Sequence, residues 1–328
     1  MSSGPWLFCH LPKTAGTSFR AALEAGLGEE HILRDYGPRS AFTTPELQAR
    51  LQQAPAERDW TVLGGHFDLS RYARNFRPEQ VLTFVRRPLQ QLVSHWEHHR
   101  RHKDYTGSLE DFAQQRSGAG LQSRMLGGMP VQLLGLVGLT EEWEQSLALF
   151  NRLSGSDLQP LWSNRNPDKE DPAYDLRLQQ LPPAARAAVR QDFWLHLQAR
   201  RVLQRRVQAQ QEGRPWMHGA VLTLQADGLQ GAAWWADDPD RPATIRLCRS
   251  GQPEQLLPVA ETVSWPLPFA QREGRGFRAQ WAQPLQLGEV VDLYCADTGQ
   301  WLDSQEWRGP AEELMHRPAP DAHFAQAA

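Results

Sequence analysis

Two stretches of the chain carry residues suited to holding anions, and a third offers a base. The first, Phe8-Cys9-His10-Leu11-Pro12-Lys13-Thr14-Ala15-Gly16-Thr17-Ser18-Phe19-Arg20, runs from a short apolar strand through a turn into hydroxyl residues that can open a helix. Successive backbone N–H groups from Thr14 to Ser18 and the positive end of the helix dipole would then point at one place. Lys13 adds a mobile cation, and Thr17 and Ser18 add hydroxyl donors. The plain alternative is a strand-turn-helix with an exposed lysine. A Walker loop is excluded, because GxxxxGK[ST] places its lysine just before the terminal hydroxyl, whereas Lys13 precedes Gly16. The chain has three lysines, Lys13, Lys103 and Lys169, against 32 arginines, so a compact ammonium inside this loop stands out from the Arg-rich background.

The second stretch, Val81-Leu82-Thr83-Phe84-Val85-Arg86-Arg87-Pro88, reads as a buried strand ending in arginine, with Pro88 at the first position of a helix that tolerates it. Arg86 would stand at a strand's carboxyl end, where ligands bind in open α/β sheets. Ser94, two helical turns on, could face the same pocket. Taken alone, such an arginine is more often solvated. The base is sought among 11 histidines. His66 follows Thr61-Val62-Leu63-Gly64-Gly65, an apolar strand expected to break at its two glycines and to present the imidazole at its carboxyl end. Its bland reading is a satisfied structural imidazole. Asp68 and Glu97 are weaker bases, and His95 to Lys103 read as a solvated basic helix end.

The elements that must position these groups follow from the hydrophobic rhythm. Up to about Gly213, short apolar runs alternate with helical patterns at Ser18 to Leu27, Leu89 to His102, Glu141 to Leu153 and Ala184 to Gln210, as in an α/β domain with a parallel sheet. Beyond it come short alternating strands such as Val221-Leu222-Thr223-Leu224, Ala243 to Cys248 and Val290 to Cys295, separated by turn clusters, as in a β-sandwich. The expected units are therefore residues 1–213, a β-rich accessory domain at 214–310, and a disordered Pro/Ala-rich tail at 311–328. The tail domain holds seven of the 13 tryptophans, as sandwich core or as platforms for sugar rings.

At 328 residues with 22% charged side chains, the composition is that of a globular protein. The net charge of −3 divides into +3 for residues 1–213 and −6 for the rest, so no global basic field argues for a nucleic-acid partner. Three cysteines at irregular spacing argue for a reducing compartment. With no leader-like start and no long apolar run, the expectation is a cytoplasmic protein without a transmembrane segment.

Pro12 through Ser18 resemble the 5′-phosphosulfate loop of the sulfotransferases that use 3′-phosphoadenosine 5′-phosphosulfate, in particular their Golgi-type and bacterial carbohydrate branch. The block from Val81 to Ser94 resembles that family's 3′-phosphate signature, although Arg87 stands where Asp is more usual. The Gly65-His66 segment is similar to the one that carries the base in glycosaminoglycan 2-O-sulfotransferases. The resemblance covers about residues 5–205 and implies a P-loop-like parallel sheet flanked by helices. It implies cofactor contacts from Lys13, Thr14, Ala15, Gly16, Thr17, Ser18, Arg86 and Ser94, with His66 and Lys13 catalytic, His10 orienting and no metal. The acceptor would be a hydroxyl of a carbohydrate or glycolipid. Gln122 and Arg124 fall in a further similar stretch, with either ligand or packing roles. Two competing readings are a P-loop nucleotide-dependent phosphotransferase and an inactive carbohydrate-binding relative.

Overall fold

A computed structural model describes residues 5–37, 44–115, 117–161, 180–266, 268–269 and 273–310. Residues 311–328, expected as a disordered tail, lie outside the described residues. The first part is a five-stranded parallel sheet of β1 (Trp6–Cys9), β2 (Ile32–Asp35), β3 (Val62–Gly65), β4 (Val81–Val85) and β5 (Leu136–Leu139), in the order β2-β3-β1-β4-β5. Apart from β2, where only Ile32 is buried, these strands are buried throughout, as a sheet covered on both faces requires. β1 lies between β3 and β4, so the segments leaving all three emerge side by side at one end of the sheet. That end is the carboxyl crevice of an open α/β sheet.

The helices are α1 (Gly16–Leu27), α2 (Pro45–Leu51), α3 (Pro88–His102), α4 (Leu109–Gln114), α5 (Leu121–Met125), α6 (Trp143–Ser154), α7 (Pro183–Ala188) and α8 (Arg190–Gln211). α1 is anchored by Phe19, fully buried and edge-on to Phe8 at 4.9 Å and to Phe150 at 5.2 Å. Burying one such ring contributes roughly 1.5–3 kcal/mol. The first turn of α1, and the loop before it, are therefore held against the sheet by core packing.

The structure departs from two sequence expectations here. The strand at Val62 does not break at its glycines: Gly64 and Gly65 pair in register with Phe8 and Cys9 on one side and with Arg34 and Asp35 on the other. A Cβ on Gly65 would overlap the Asp35 carbonyl, so the glycine permits the close pairing rather than ending it. The helix expected over Ala184 to Gln210 is split at Val189, whose φ of −105° and ψ of 14° are not helical. That side chain is fully buried with Leu92, Phe112 and Ala185, and this packing outweighs helix continuity.

After α8 the chain builds two four-stranded antiparallel sheets. One has the order β10-β11-β7-β6, from β6 (Met217–Gln225), β7 (Gly228–Trp235), β10 (Glu261–Ser264) and β11 (Glu273–Gln280). The other has the order β13-β12-β8-β9, from β8 (Thr244–Arg249), β9 (Gln255–Pro258), β12 (Val290–Cys295) and β13 (Trp301–Glu306). Ala233 and Trp235 of β7 face a core shared with Ile245, Leu247 and Leu293. Their neighbours Ala232 and Trp234 join the core of the parallel sheet. Burial on both faces explains why β7 reads as a nearly unbroken apolar run. Trp216, Trp234, Trp235, Trp265 and Trp281 are all buried, so these tryptophans serve as core. Among the described residues, no helix is long and apolar enough to cross a membrane.

Candidate functional site

The loop from β1 to α1 is held in a costly conformation. Lys13 and Ala15 both have left-handed backbones, with φ of 67° and 63°. Non-glycine residues adopt this region at a cost of order 1–3 kcal/mol and do so mainly at functional sites. Such left-handed residues in a loop form concavities of backbone N–H groups, and here the concavity runs into the opening turn of α1. Two side chains brace it. Thr14 is buried and its hydroxyl donates to the Leu11 carbonyl at 2.9 Å, while Gln91 of α3 donates to the Pro12 carbonyl at 3.0 Å. The Thr14 side chain is thus a loop closure. Ser18 is buried, Ala15 half-buried and Thr17 exposed.

Arg86 meets this loop from the end of β4. It is 9% exposed, and its guanidinium donates to the Lys13 carbonyl at 3.4 Å and to Gln90 at 3.5 Å. The strand end is clamped by Gln122, which accepts from the Arg86 N–H at 2.8 Å and donates to the Arg86 carbonyl at 3.0 Å, as a neighbouring strand would. Gln122 is in turn placed by Asp192 of α8, whose carboxylate accepts from the N–H groups of Gln122 and Ser123 at 3.2 and 2.8 Å. Gln122 therefore supports the backbone of Arg86, and Arg124 donates to the Ala119 carbonyl beside it. Arg87 is exposed; its N–H donates to Glu141 at 2.6 Å, and Glu141 also faces His196 at 3.4 Å. Ser94 is buried on α3, one turn beyond Gln90 and so on the same helix face.

Electrostatics tie these cations together. Burial, followed by the Arg86 guanidinium and Arg101, holds the Lys13 ammonium below its ordinary 10.5, with Glu97 opposing. Glu97 itself is paired with Arg101 at 3.4 Å. His98 of α3 is depressed by burial and then by Lys13, which brings the second half of α3 within the field of the loop. His95, expected on a solvated basic end, is instead buried against His99 and Phe112, at 4.6 and 5.4 Å between ring centroids. Its place near the middle of α3, facing α4, accounts for the difference.

His66 leaves the end of β3 beside the same loop. Its Nδ1 lies 2.7 Å from the His10 carbonyl, a contact that requires the proton on Nδ1 and makes Nε2 the basic nitrogen. The ring is flanked by His10 at 4.2 Å and edge-on by Tyr36 at 5.1 Å. Tyr36 OH reaches His10 Nδ1 at 3.2 Å, and Arg20 lies over the Tyr36 ring at 5.1 Å. Burial raises the phenol's pKa. The His10 imidazole stacks on Phe8 at 5.2 Å and is held well below 6.5 by burial, then by His66, Arg20 and Lys13. Gly16 is the other wall of its slot, because a Cβ there would overlap the His10 ring. The glycine thus links the β1–α1 loop to the histidine pair.

Lys13, Arg86 and the loop of Thr14 to Ser18 come together, and His66 joins them through His10. Tyr36, Gln91, Asp192 and Arg20 were not singled out from the sequence. Each acts through contacts between segments apart in the chain, and even Tyr36 follows a strand, Ile32 to Asp35, that is half charged and gives no apolar run to announce it. Among the described residues, no group of three or more His, Cys, Asp or Glu stands close enough to hold a metal ion. No protein-family model matches the sequence, and no curated protein matches it.

Proposed function

We propose that this chain is a sulfotransferase that moves a sulfuryl group from 3′-phosphoadenosine 5′-phosphosulfate to a hydroxyl of a carbohydrate or glycolipid. The observation that carries this reading is the meeting, at the carboxyl ends of β1, β3 and β4, of a left-handed loop, two cations and an oriented imidazole. The donor set fits a doubly phosphorylated nucleotide, since it offers backbone N–H groups, an ammonium and a guanidinium at two neighbouring strand ends.

The co-substrate supplies the electrophilic sulfur and a phosphate leaving group. Backbone N–H groups from Thr14 to Ser18 hold the 5′-phosphate, with Lys13 beside it to neutralise charge that develops on the bridging oxygen. Arg86 and Ser94 grip the 3′-phosphate. His66 Nε2 accepts the proton of the attacking hydroxyl as the new oxygen–sulfur bond forms and the sulfur–oxygen bond to phosphate breaks. The His10 carbonyl keeps the imidazole in the tautomer this needs. His10 itself, uncharged at neutral pH, adds no positive charge beside Lys13.

Calorimetric titration with adenosine 3′,5′-bisphosphate, beside ATP with magnesium, tests the reading. Micromolar affinity for the bisphosphate is expected, weakened at least about a hundredfold in Arg86→Ala, a loss of roughly 2.8 kcal/mol. His66→Ala keeps that affinity and lowers transfer to a screened glycan acceptor by about 10²–10⁴-fold. Tight magnesium-dependent ATP binding without a bisphosphate preference overturns the proposal in favour of a phosphotransferase.

A further inference from the structure

A second concavity opens at the opposite end of the parallel sheet. It lies between the turn that enters β4 and the sheet β10-β11-β7-β6, and has a volume of about 430 Å³. Small-molecule sites occupy roughly 300–1,000 Å³ and favour seams of this kind. Seven residues run from Glu79 in its wall to Arg86, which at about 3.3 Å per strand residue is roughly 20 Å. The cleft is therefore separate from the anion loop.

Its lining combines apolar surface with groups of both polarities. Trp234 and Trp265 meet edge to face, with centroids 5.1 Å apart and planes at 83°. Trp234 is backed by His218, stacked at 5.1 Å, so its ring is fixed before any ligand arrives. The Trp234 indole N–H is buried and has no acceptor among the described residues, a deficit of the kind that costs about 1–3 kcal/mol. Asp240 and Glu273 stand at the rim as exposed acceptors. Across from them, Arg77 is paired with Glu79. Arg275 keeps its charge, but its guanidinium is committed to structure, donating to the carbonyls of Pro239, Arg241 and Val259 at 3.1 to 3.3 Å. Those bonds fix the turn that carries Asp240.

An anion would meet the carboxylates of Asp240 and Glu273. A cation would leave Arg77 opposed and would use no donor in the cleft. A ligand whose hydroxyls both donate and accept, and whose C–H groups meet the indole edges that reach the cleft, matches this mixed lining. We infer that this cleft binds a neutral oligosaccharide, at a site independent of the proposed transfer reaction.

The test is saturation-transfer NMR and calorimetry on the full chain with cellotriose, maltotriose and N,N′,N″-triacetylchitotriose, beside spermidine and inorganic sulfate as charged probes. At least one of the trisaccharides is expected to bind, and Asp240→Asn/Glu273→Gln to weaken it about tenfold or more at an unchanged melting temperature. Both side chains are exposed, so the double variant leaves the core intact. Lys13→Ala must leave sugar binding as it is, which separates this site from the anion loop. Absence of binding by all three sugars overturns the inference. So does sugar binding that survives the double variant, or spermidine binding that exceeds the sugars and is the binding lost in that variant. Bisphosphate affinity, read in parallel, reports on the transferase proposal alone.

Discussion

Arg86 and Arg206 are both buried arginines, one at the carboxyl end of β4 and one beside the segment that enters β5, and they are held in different ways. Arg206, on α8, donates to the carbonyls of Gln132, Leu134 and Gly135 at 2.7, 2.9 and 3.0 Å, and lies 3.1 Å from His218 Nδ1 and 4.4 Å from the Trp216 ring. Burial lowers it to about 9, so it stays charged at neutral pH, with carbonyl dipoles in place of water. Next to it Asp303 accepts from the Val221 N–H at 3.0 Å and from Gln132 at 2.8 Å, which ties β13 to β6 and to the segment before β5. Arg86 reaches the Lys13 carbonyl at 3.4 Å and Gln90 at 3.5 Å, and the neighbouring Lys13 is a like charge. Short bonds to carbonyls commit a guanidinium to structure. The longer bonds of Arg86, beside another cation, are ones that an anion at the proposed site would supplement.

Exchanging each arginine for Met is the strongest way to break this contrast. Arg206→Met removes the donor from the buried carbonyls of Leu134 and Gly135, while the Gln132 carbonyl keeps His218 Nδ1 at 3.3 Å; at roughly 1 kcal/mol or more for each stranded group, the loss is about 2 kcal/mol of stability with bisphosphate affinity unchanged. Arg86→Met is expected to lose bisphosphate binding and to cost less stability than Arg206→Met, since its bonds to the Lys13 carbonyl and to Gln90 are near the limit of useful length. Urea unfolding and calorimetry on the two variants read both quantities. Equal stability losses would remove the distinction.

Gly16→Ala sharpens the comparison on the loop side. Alanine in a helix is normally the better residue by about 0.5–1 kcal/mol, so a plain helical turn would gain stability. Here the new Cβ enters the space of the His10 imidazole, which is already confined by Phe8 and Tyr36. Overpacking of this kind costs about 1–3 kcal/mol and outweighs the helical gain. The variant is expected to lose stability and bisphosphate affinity together. His10→Ala in the same background should restore most of the stability, and a double-mutant cycle with a coupling near zero would refute the link between the two residues.

β1, β3 and β4 were legible because they are short apolar runs buried on both faces, and the turn into α1 because Pro12 and Gly16 follow β1 directly, whereas β2, which carries Arg34 and Asp35, was not. The pairing of Gly64 and Gly65 was not, since two glycines normally signal a break, and it is the Asp35 carbonyl that requires Gly65 while Gly64 faces the Phe8 ring. Gln122 looked equally suited to ligand and to packing. What decides for packing is a carboxylate 70 residues away in sequence, Asp192, which no local pattern announces. The Arg206 cluster is silent in sequence for the same reason: its partners are backbone carbonyls, which any residue supplies.

The smallest expected effect concerns pH. Lys13 is held below 10.5 by burial and then by Arg86, so the fold without ligand disfavours its charged form. Because the folded value lies below the unfolded one, this penalty is fully present at low pH and is relieved as pH rises through the lowered value; stability without ligand therefore climbs there. Anion binding has the opposite dependence, because it favours the ammonium. Above neutrality the charge of the bisphosphate no longer changes, so its affinity is expected to stay level and then fall several-fold, beginning below the pH at which an ordinary lysine would titrate. Lys13→Arg keeps its charge throughout and should abolish the fall, whatever affinity it retains. Opposite slopes for stability and affinity in the unsubstituted protein, both absent in Lys13→Arg, would place the ammonium at the bound anion. Parallel slopes, or a fall that persists in the arginine variant, would move the titrating group elsewhere and leave Arg86 as the principal cation of the site.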